Sequence, residues 1–339
     1  MKKTYLILLL LFVSFSCCRK RDTMTKCDTE ILHVTGGITL KDAHNSINQM
    51  VSTDSVLWIG SEHDRKSVIF AYSFDGNLLA SGVEYGRGAG EILELTSLHP
   101  SQKGSVALYD GRAGRLNQLS VNGTNIKLDI LRDSLFLYDD AVILPGKRIV
   151  TLPVHSSFSY ILSDLDGDVI ANLSYFPPKP KTVDENTHIL ACTGTLAVAP
   201  DGKSMVRAIA YDGGLDFFSI DDDRLSHKKR YSLFEMDYDA LDGRVKLPIP
   251  NHNSRTGYSS LCSTDKYIYA SYSEAKVLDN PDGECKEIHV FDHDGNPVYK
   301  LLLDREFSSF TVTPEDNFLF VACDIDGKTF LIKYRLAEN

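Results

Sequence analysis

An all-β chain folded as a six-bladed β-propeller is predicted by three observations. Pairs of β-rich runs hinge on Asp-Gly or Asn-Gly, the hinges recur at intervals near fifty, and the two chain ends complete one another. Asp-Gly and Asn-Gly between alternating apolar residues are the strongest short-range hairpin signal, because the turns they favour need positive φ. They occur at Asp75-Gly76, Asn122-Gly123, Asp166-Gly167 and Asp294-Gly295, with a further turn at Asp222-Asp223. Successive turns lie 47, 44, 56 and 72 residues apart. A period in the forties with several strands per unit marks four-stranded propeller blades.

Each hinged pair supplies two outer strands, and pairs of shorter runs between them supply the inner two. These are 92–100 with 105–110, 189–200 with 204–212, and 259–265 with 267–273. Scarcely any segment carries the 3.6-residue apolar stripe of a helix. After the fifth hairpin, residues 308–336 provide three more strands. The missing fourth is expected from "ILHVTGGITL" (31–40), which closes the ring and removes free sheet edges. The long interval 223–294 is read as insertions rather than a seventh blade. The propeller domain is thus 31–339.

The N-terminus predicts an address. Lys2 and Lys3 precede the apolar run 5–13 and then "SFSCC", the pattern of a cleaved export signal over 1–16. Nine or so apolar residues fall short of the roughly 20 that a membrane span needs. A cysteine after a small residue at this place resembles a bacterial lipobox, which implies that Cys17 carries a lipid anchor, with Cys18 the alternative. Residues 17–30 are polar and read as a flexible tether. Arg19, Lys20 and Arg21 are basic where surface-exposed lipoproteins resemble one another in an acidic stretch, so the expected location is the outer membrane, facing the periplasm.

Net charge is −10 for the full chain, and loss of Lys2 and Lys3 with the signal takes it to −12. With no basic cluster beyond the tether, nucleic acid is not an expected partner. Cys27, Cys192, Cys262, Cys285 and Cys323 lack CxxC spacing, which argues against a zinc site and leaves buried thiols as the expectation.

"EYGRGAGE" (84–91) tests the enzyme reading. A dinucleotide fingerprint needs a helix after its glycines, and a P-loop needs a terminal Gly-Lys-Ser/Thr. Neither follows here. The stretch suits a crossover between blades, where glycines permit the sharp turn. Arg87 is expected to pin the loop to a neighbouring carboxylate or to meet a ligand, with Glu91 nearby.

"YGRGAGE" is similar to the Gly-Arg-Gly-Pro-Gly-Glu crossover of exported, six-bladed, TolB-like propeller lipoproteins of Gram-negative bacteria, with Ala89 in place of the proline. "GYSSLCSTDKYIYASYS" (257–273) resembles their fifth-blade inner strands. The resemblance covers essentially the whole mature chain and implies a fold and an address, not an activity.

For chemistry, the clusters "DLDGD", "DHDG" and "DIDG" lack the twelve-residue spacing of an EF-hand and read as turns. No HExxH or G-x-S-x-G motif occurs, and no cofactor or metal ligand set is assigned. "PIPNHNSRTGY" (248–258) is the most informative loop, because its prolines stiffen the entry and mixed donors, acceptors and an aromatic follow. Arg112, His155, Tyr211 and Asp212 are expected on neighbouring turns. Trp58 reads as core. The expected function is a scaffold binding a peptide, glycan or envelope protein in a top-face funnel, through Arg87, Glu91, His188, Asn251, His252, Asn253, Arg255 and Tyr258. The alternative is a metal-dependent hydrolase or lyase with its site in the same funnel.

Overall fold

A computed structural model describes residues 28–31, 34–38, 46–61, 67–101, 104–244 and 246–336. Cys17, Cys18, Cys27 and the signal and tether up to residue 27 lie outside the described residues. Strands dominate, and they assemble into six antiparallel blades.

Blade 1 comprises Gln49–Ser52, Val56–Gly60, Ile69–Ser73 and Leu78–Gly82, and blade 2 Ser97–Pro100, Val106–Asp110, Arg115–Asn122 and Asn125–Arg132. Blade 3 comprises Tyr138–Leu144, Arg148–Pro153, Tyr160–Asp164 and Val169–Leu173, and blade 4 Gly194–Val198, Ser204–Ile209, Gly214–Ile220 and Leu225–Ser232. Blade 5 comprises Arg255–Ser263, Ile268–Lys276, Cys285–Phe291 and Pro297–Phe307. Blade 6 takes Ser309–Val312, Phe318–Ile325 and Lys328–Arg335 from the C-terminus, and its outer strand is Val34–Ile38 from the N-terminus. That strand pairs antiparallel with the last one, Val34 opposite Tyr334 and Ile38 opposite Leu331, so the ring closes as the sequence predicts.

The glycines of the four Asp-Gly and Asn-Gly outer hairpins all sit at positive φ, from +64° at Gly123 to +110° at Gly167. Their local backbone demand explains why these turns are readable from sequence. Asp28–Ile31 adds a fifth strand to blade 5, parallel to Pro297–Phe307. Residues 28–30, assigned to the tether from sequence, therefore have a backbone partner.

The core lies between blades rather than within one sheet. In Val56–Gly60, Leu57 and Ile59 pack into a cluster shared with blades 5 and 6, while Trp58 packs into one shared with blade 2. Alternation across the strand gives each blade two apolar faces. Central strands are consequently apolar on both sides, as Val106–Asp110 shows, every residue buried. Trp58 is fully interior, as expected.

Two departures fall in the connections. Glu185–Ala191 forms a seven-residue helix (α1), the one helix among the described residues, started by Asp184, whose side chain accepts from the Thr187 N–H. The long interval before blade 5 holds a small hairpin, Asp239–Leu241 with Leu247–Ile249. The face bearing the blade-to-blade crossovers is called upper below, and the opposite face lower.

Candidate functional site

The innermost strands of all six blades enclose an axial cavity of about 460 Å3. Their outward neighbours bond one side of each strand, so the other side presents backbone groups toward the axis. Side chains from adjacent blades satisfy part of that edge. Ser52 N–H donates to Thr311 Oγ1 at 3.1 Å, and Ser52 Oγ–H donates to the Val312 carbonyl at 2.5 Å. Gly194 N–H donates to Asp139 Oδ2 at 2.9 Å. These contacts stitch blade 1 to blade 6 and blade 3 to blade 4.

Blades 2 and 3 are joined by a buried polar cluster. Asp140 accepts from Ser97 Oγ at 2.5 Å, from the Ala141 N–H at 2.7 Å and from His99 Nε2 at 3.0 Å. Burial alone would raise its carboxyl pKa. The charge and hydrogen bond of His99, with the Ser97 and Ala141 donors, outweigh that and hold it below the ordinary value. Its chain neighbour Asp139 faces blade 4, 3.8 Å from the buried Arg207. There burial dominates and raises the carboxyl pKa, only partly countered by Arg207 and the Gly194 N–H.

Above the cavity, on the upper face, lies a shallow basin over blades 2 and 3, bordered by Tyr85, Glu94, Arg112, Leu137, Tyr138 and Val154. Thr96 and Asp139 line both basin and cavity. Phe136, next to Leu137, covers Gly114, where an added Cβ would come 2.7 Å from the ring. Phe136 is 57% and Leu137 73% exposed. Leu137 holds φ +64°, a left-handed conformation that costs a bulky side chain energy.

None of the eight residues selected from sequence lines the cavity or the basin. Arg87 is exposed and makes no hydrogen bond or ion pair among the described residues. The crossover is held instead by Glu91, whose Oε2 accepts the Gly88 N–H at 2.6 Å. The same carboxylate fills the space above Gly86, so a side chain there would displace it. His188, expected on a loop, lies on α1 and is interior, its ring nitrogens 3.0 Å from Tyr238 Oη and 2.9 Å from the Pro177 carbonyl. Tyr258 is likewise buried, its hydroxyl 2.7 Å from His289 Nδ1. Both are corrected to core residues.

Asn251 folds its loop on itself, accepting from the Asn253 and Ser254 N–H groups and donating to Asp237. His252 and Asn253 are exposed. Arg255 pairs with Glu274 at 2.7 Å and lies over the Phe234 ring. Among the described residues, no three His, Cys, Asp or Glu side chains are grouped to hold a metal ion. Cys192, Cys262, Cys285 and Cys323 are free thiols, all but Cys262 fully buried.

What sequence reasoning passed over were polar residues inside strands. His99 in "SLHPS", the pair in "YDDAV" and Arg207 in "SMVRAI" sit where the pattern demands burial, and a buried polar group is retained only with partners.

The fold defines a six-bladed propeller with an axial cavity and a basin on its upper face. The model of the TolB-like 6-blade propeller-like family matches residues 38–315, and the chain belongs to that family. No curated protein matches the sequence. Among solved structures, a candidate exported protein from Bacteroides fragilis is 10% identical, with a TM-score of 0.56 over 92% of this chain and 98% of that one. The β-propeller domain of Cps50 (Swd1) from Myceliophteria thermophila is 11% identical, with a TM-score of 0.52 over 90% of this chain and 100% of that one. These likenesses are likenesses of fold. No helix among the described residues is long and apolar enough to cross a membrane.

Proposed function

We propose that this chain is an exported, lipid-anchored binding protein that docks a protein partner on the upper face of blades 2 and 3. The observation that carries the reading is Leu137, an apolar side chain 73% exposed on a backbone of positive φ. Conformations of this cost persist where the surroundings impose them, and they cluster at binding and switching sites. Phe136 and Tyr85 extend the apolar surface, and Arg112 at the basin has no hydrogen bond or ion pair among the described residues. Apolar anchors beside an uncommitted guanidinium suit a segment carrying a large apolar side chain next to a carboxylate.

Export is supported by the signal-like N-terminus and by likeness to the fold of a candidate exported protein, and anchoring by the lipobox-like placement of Cys17 alone. Acylation at Cys17 is tested by palmitate labelling in cells, expected to disappear in Cys17→Ala. Docking is tested with a photo-crosslinking amino acid at Leu137, with Val298 on the outer strand of blade 5 as control. A discrete crosslinked protein at Leu137 and none at Val298 supports the reading. No adduct at Leu137, or the same adducts at both positions, removes it.

A further inference from the structure

The outer hairpin of blade 2 differs at its tip from the other outer hairpins. Its Asn122-Gly123 is the one place in the sequence where glycine follows an asparagine. Asn122, Gly123 and Thr124 are all exposed. In the Asp-Gly hairpins the glycine N–H is committed. Gly76 donates to the Ser73 carbonyl at 2.9 Å, Gly167 to Asp164 Oδ1 at 2.7 Å and Gly295 to the Asp292 carbonyl at 3.0 Å. Among the described residues the Gly123 N–H makes no hydrogen bond, and neither does the Asn122 side chain. An added Cβ at Gly123 would meet nothing within 4 Å, so the turn is open to water.

These are the requirements of an intramolecular substitution. The side-chain amide carbon and the next backbone nitrogen belong to one short stretch of chain, and that proximity replaces an encounter between two molecules. Glycine has no Cβ to hinder the nitrogen. An N–H without an acceptor can give up its proton to water or hydroxide.

We infer that Asn122 is a site of spontaneous deamidation, and that one of its two products loosens the rim between blades 1 and 2. The Gly123 nitrogen loses its proton and attacks Asn122 Cγ. The Cγ–Nδ2 bond breaks, and Nδ2 leaves as ammonia after taking up a proton from solvent, which closes a succinimide. Water then opens the ring at either carbonyl. Cleavage of the new Cγ–N bond restores the ordinary backbone with aspartate at this position. Cleavage at the backbone carbonyl gives isoaspartate, whose chain runs on through Cγ and is one methylene longer. Nothing is oxidised or reduced, and water is the co-reactant.

The extra methylene falls where two blades are joined. Asn122 pairs with Asn125 across the hairpin, and Asn125 pairs with Ser81 of blade 1. The Ser81 N–H donates to the Thr124 carbonyl at 3.2 Å. A longer backbone displaces Thr124 and Asn125 relative to Ser81. The aspartate product keeps the backbone length and therefore the link.

The test is a time course of the purified full chain in mildly alkaline buffer, beside a synthetic peptide of residues 116–127, followed by peptide mapping with mass spectrometry. Asn122 of the folded chain should gain about one dalton at a rate within about tenfold of the peptide's. It should do so before the exposed Asn253, whose following Ser254 N–H is bonded to Asn251 Oδ1. Gly123→Ala should slow the change at least about tenfold. If that variant fails to fold, the wild-type course against the peptide decides alone. In the isoaspartyl fraction the Ser81 amide should exchange with deuterium faster than in fresh protein, and in the aspartyl fraction it should not. Asn122 left intact once the peptide has converted, or Asn253 converting first, overturns the site. Unchanged exchange at Ser81 in the isoaspartyl fraction overturns the loosening. Neither result touches Leu137 or Arg112, so the upper-face reading fails or stands separately.

Discussion

Asp139 and Asp140 are neighbours in the chain that serve opposite blade junctions. Asp140 takes donors from Ser97 and His99 in blade 2, and Asp139 takes the Gly194 N–H of blade 4. The strand is irregular at this point, its register shifting between Tyr138 and Asp140, and the two carboxylates serve opposite junctions, so one dipeptide fastens blade 3 on both sides at the cavity wall.

Asp140→Asn should therefore cost about 2 kcal/mol, the range for a buried hydrogen bond to a charged group. Because the folded carboxyl pKa lies below its ordinary value, the wild-type advantage is full above about pH 3.9 and is lost as pH falls through the folded value. Thermal melts from pH 7 to pH 3 should show the gap between wild type and variant closing only at the acid end.

Glu287 offers a comparison on the third strand of blade 5, with His289 Nε2 at 2.5 Å and Lys300 Nζ at 2.6 Å. Burial opposes ionisation there, yet these two donors bring the carboxyl pKa down to about 2. The group is partly open to water, so after allowance for screening Glu287→Gln should cost only about 1 kcal/mol. That stability is present above about pH 4.5 and disappears as pH falls toward 2. Urea unfolding at pH 7 and pH 3 checks both size and sign.

Glycines at similar φ should differ sharply in tolerance. At Gly257, φ +70°, an added Cβ would lie 2.2 Å from the Asp212 carbonyl oxygen. At Gly123, φ +64°, it would meet nothing within 4 Å. Gly257→Ala should cost about 2–4 kcal/mol, strain plus displaced backbone, and Gly123→Ala about 1 kcal/mol. Denaturant midpoints of the two variants give the contrast directly.

Deleting residues 31–40 removes the outer strand of blade 6. The loss of ladder bonds worth about 1 kcal/mol each should lower stability by about 2–4 kcal/mol. The freed edge of Lys328–Arg335 should also promote self-association, visible as a concentration-dependent shift in size-exclusion chromatography.

The outer hairpins and the ring closure were legible because their signals are local or additive. Asp-Gly and Asn-Gly state their own turn, and three C-terminal strands leave one vacancy for the N-terminus to fill. Helix α1 was not legible because seven residues barely complete two turns, too few to establish a period. The cavity wall was hidden for a different reason. His99 and Asp140 are 41 residues apart and meet only once two blades stand side by side. Loops often carry binding groups, which makes residues such as Asn251 and Arg255 the natural candidates in the sequence. In this fold those side chains are engaged by their own loops and by Glu274.

The parallel strand Asp28–Ile31 bears on how the molecule would stand on a surface. It runs beside the lower part of Pro297–Phe307, Asp28 opposite Tyr299, so the chain meets the disc at its rim, nearer the lower face. An acyl group on Cys17 would be separated from Asp28 by residues 18–27, a leash of at most about 35–40 Å when fully extended. The chain thus joins the disc on the side opposite the upper-face residues Leu137 and Arg112, which leaves that face clear of the point of attachment.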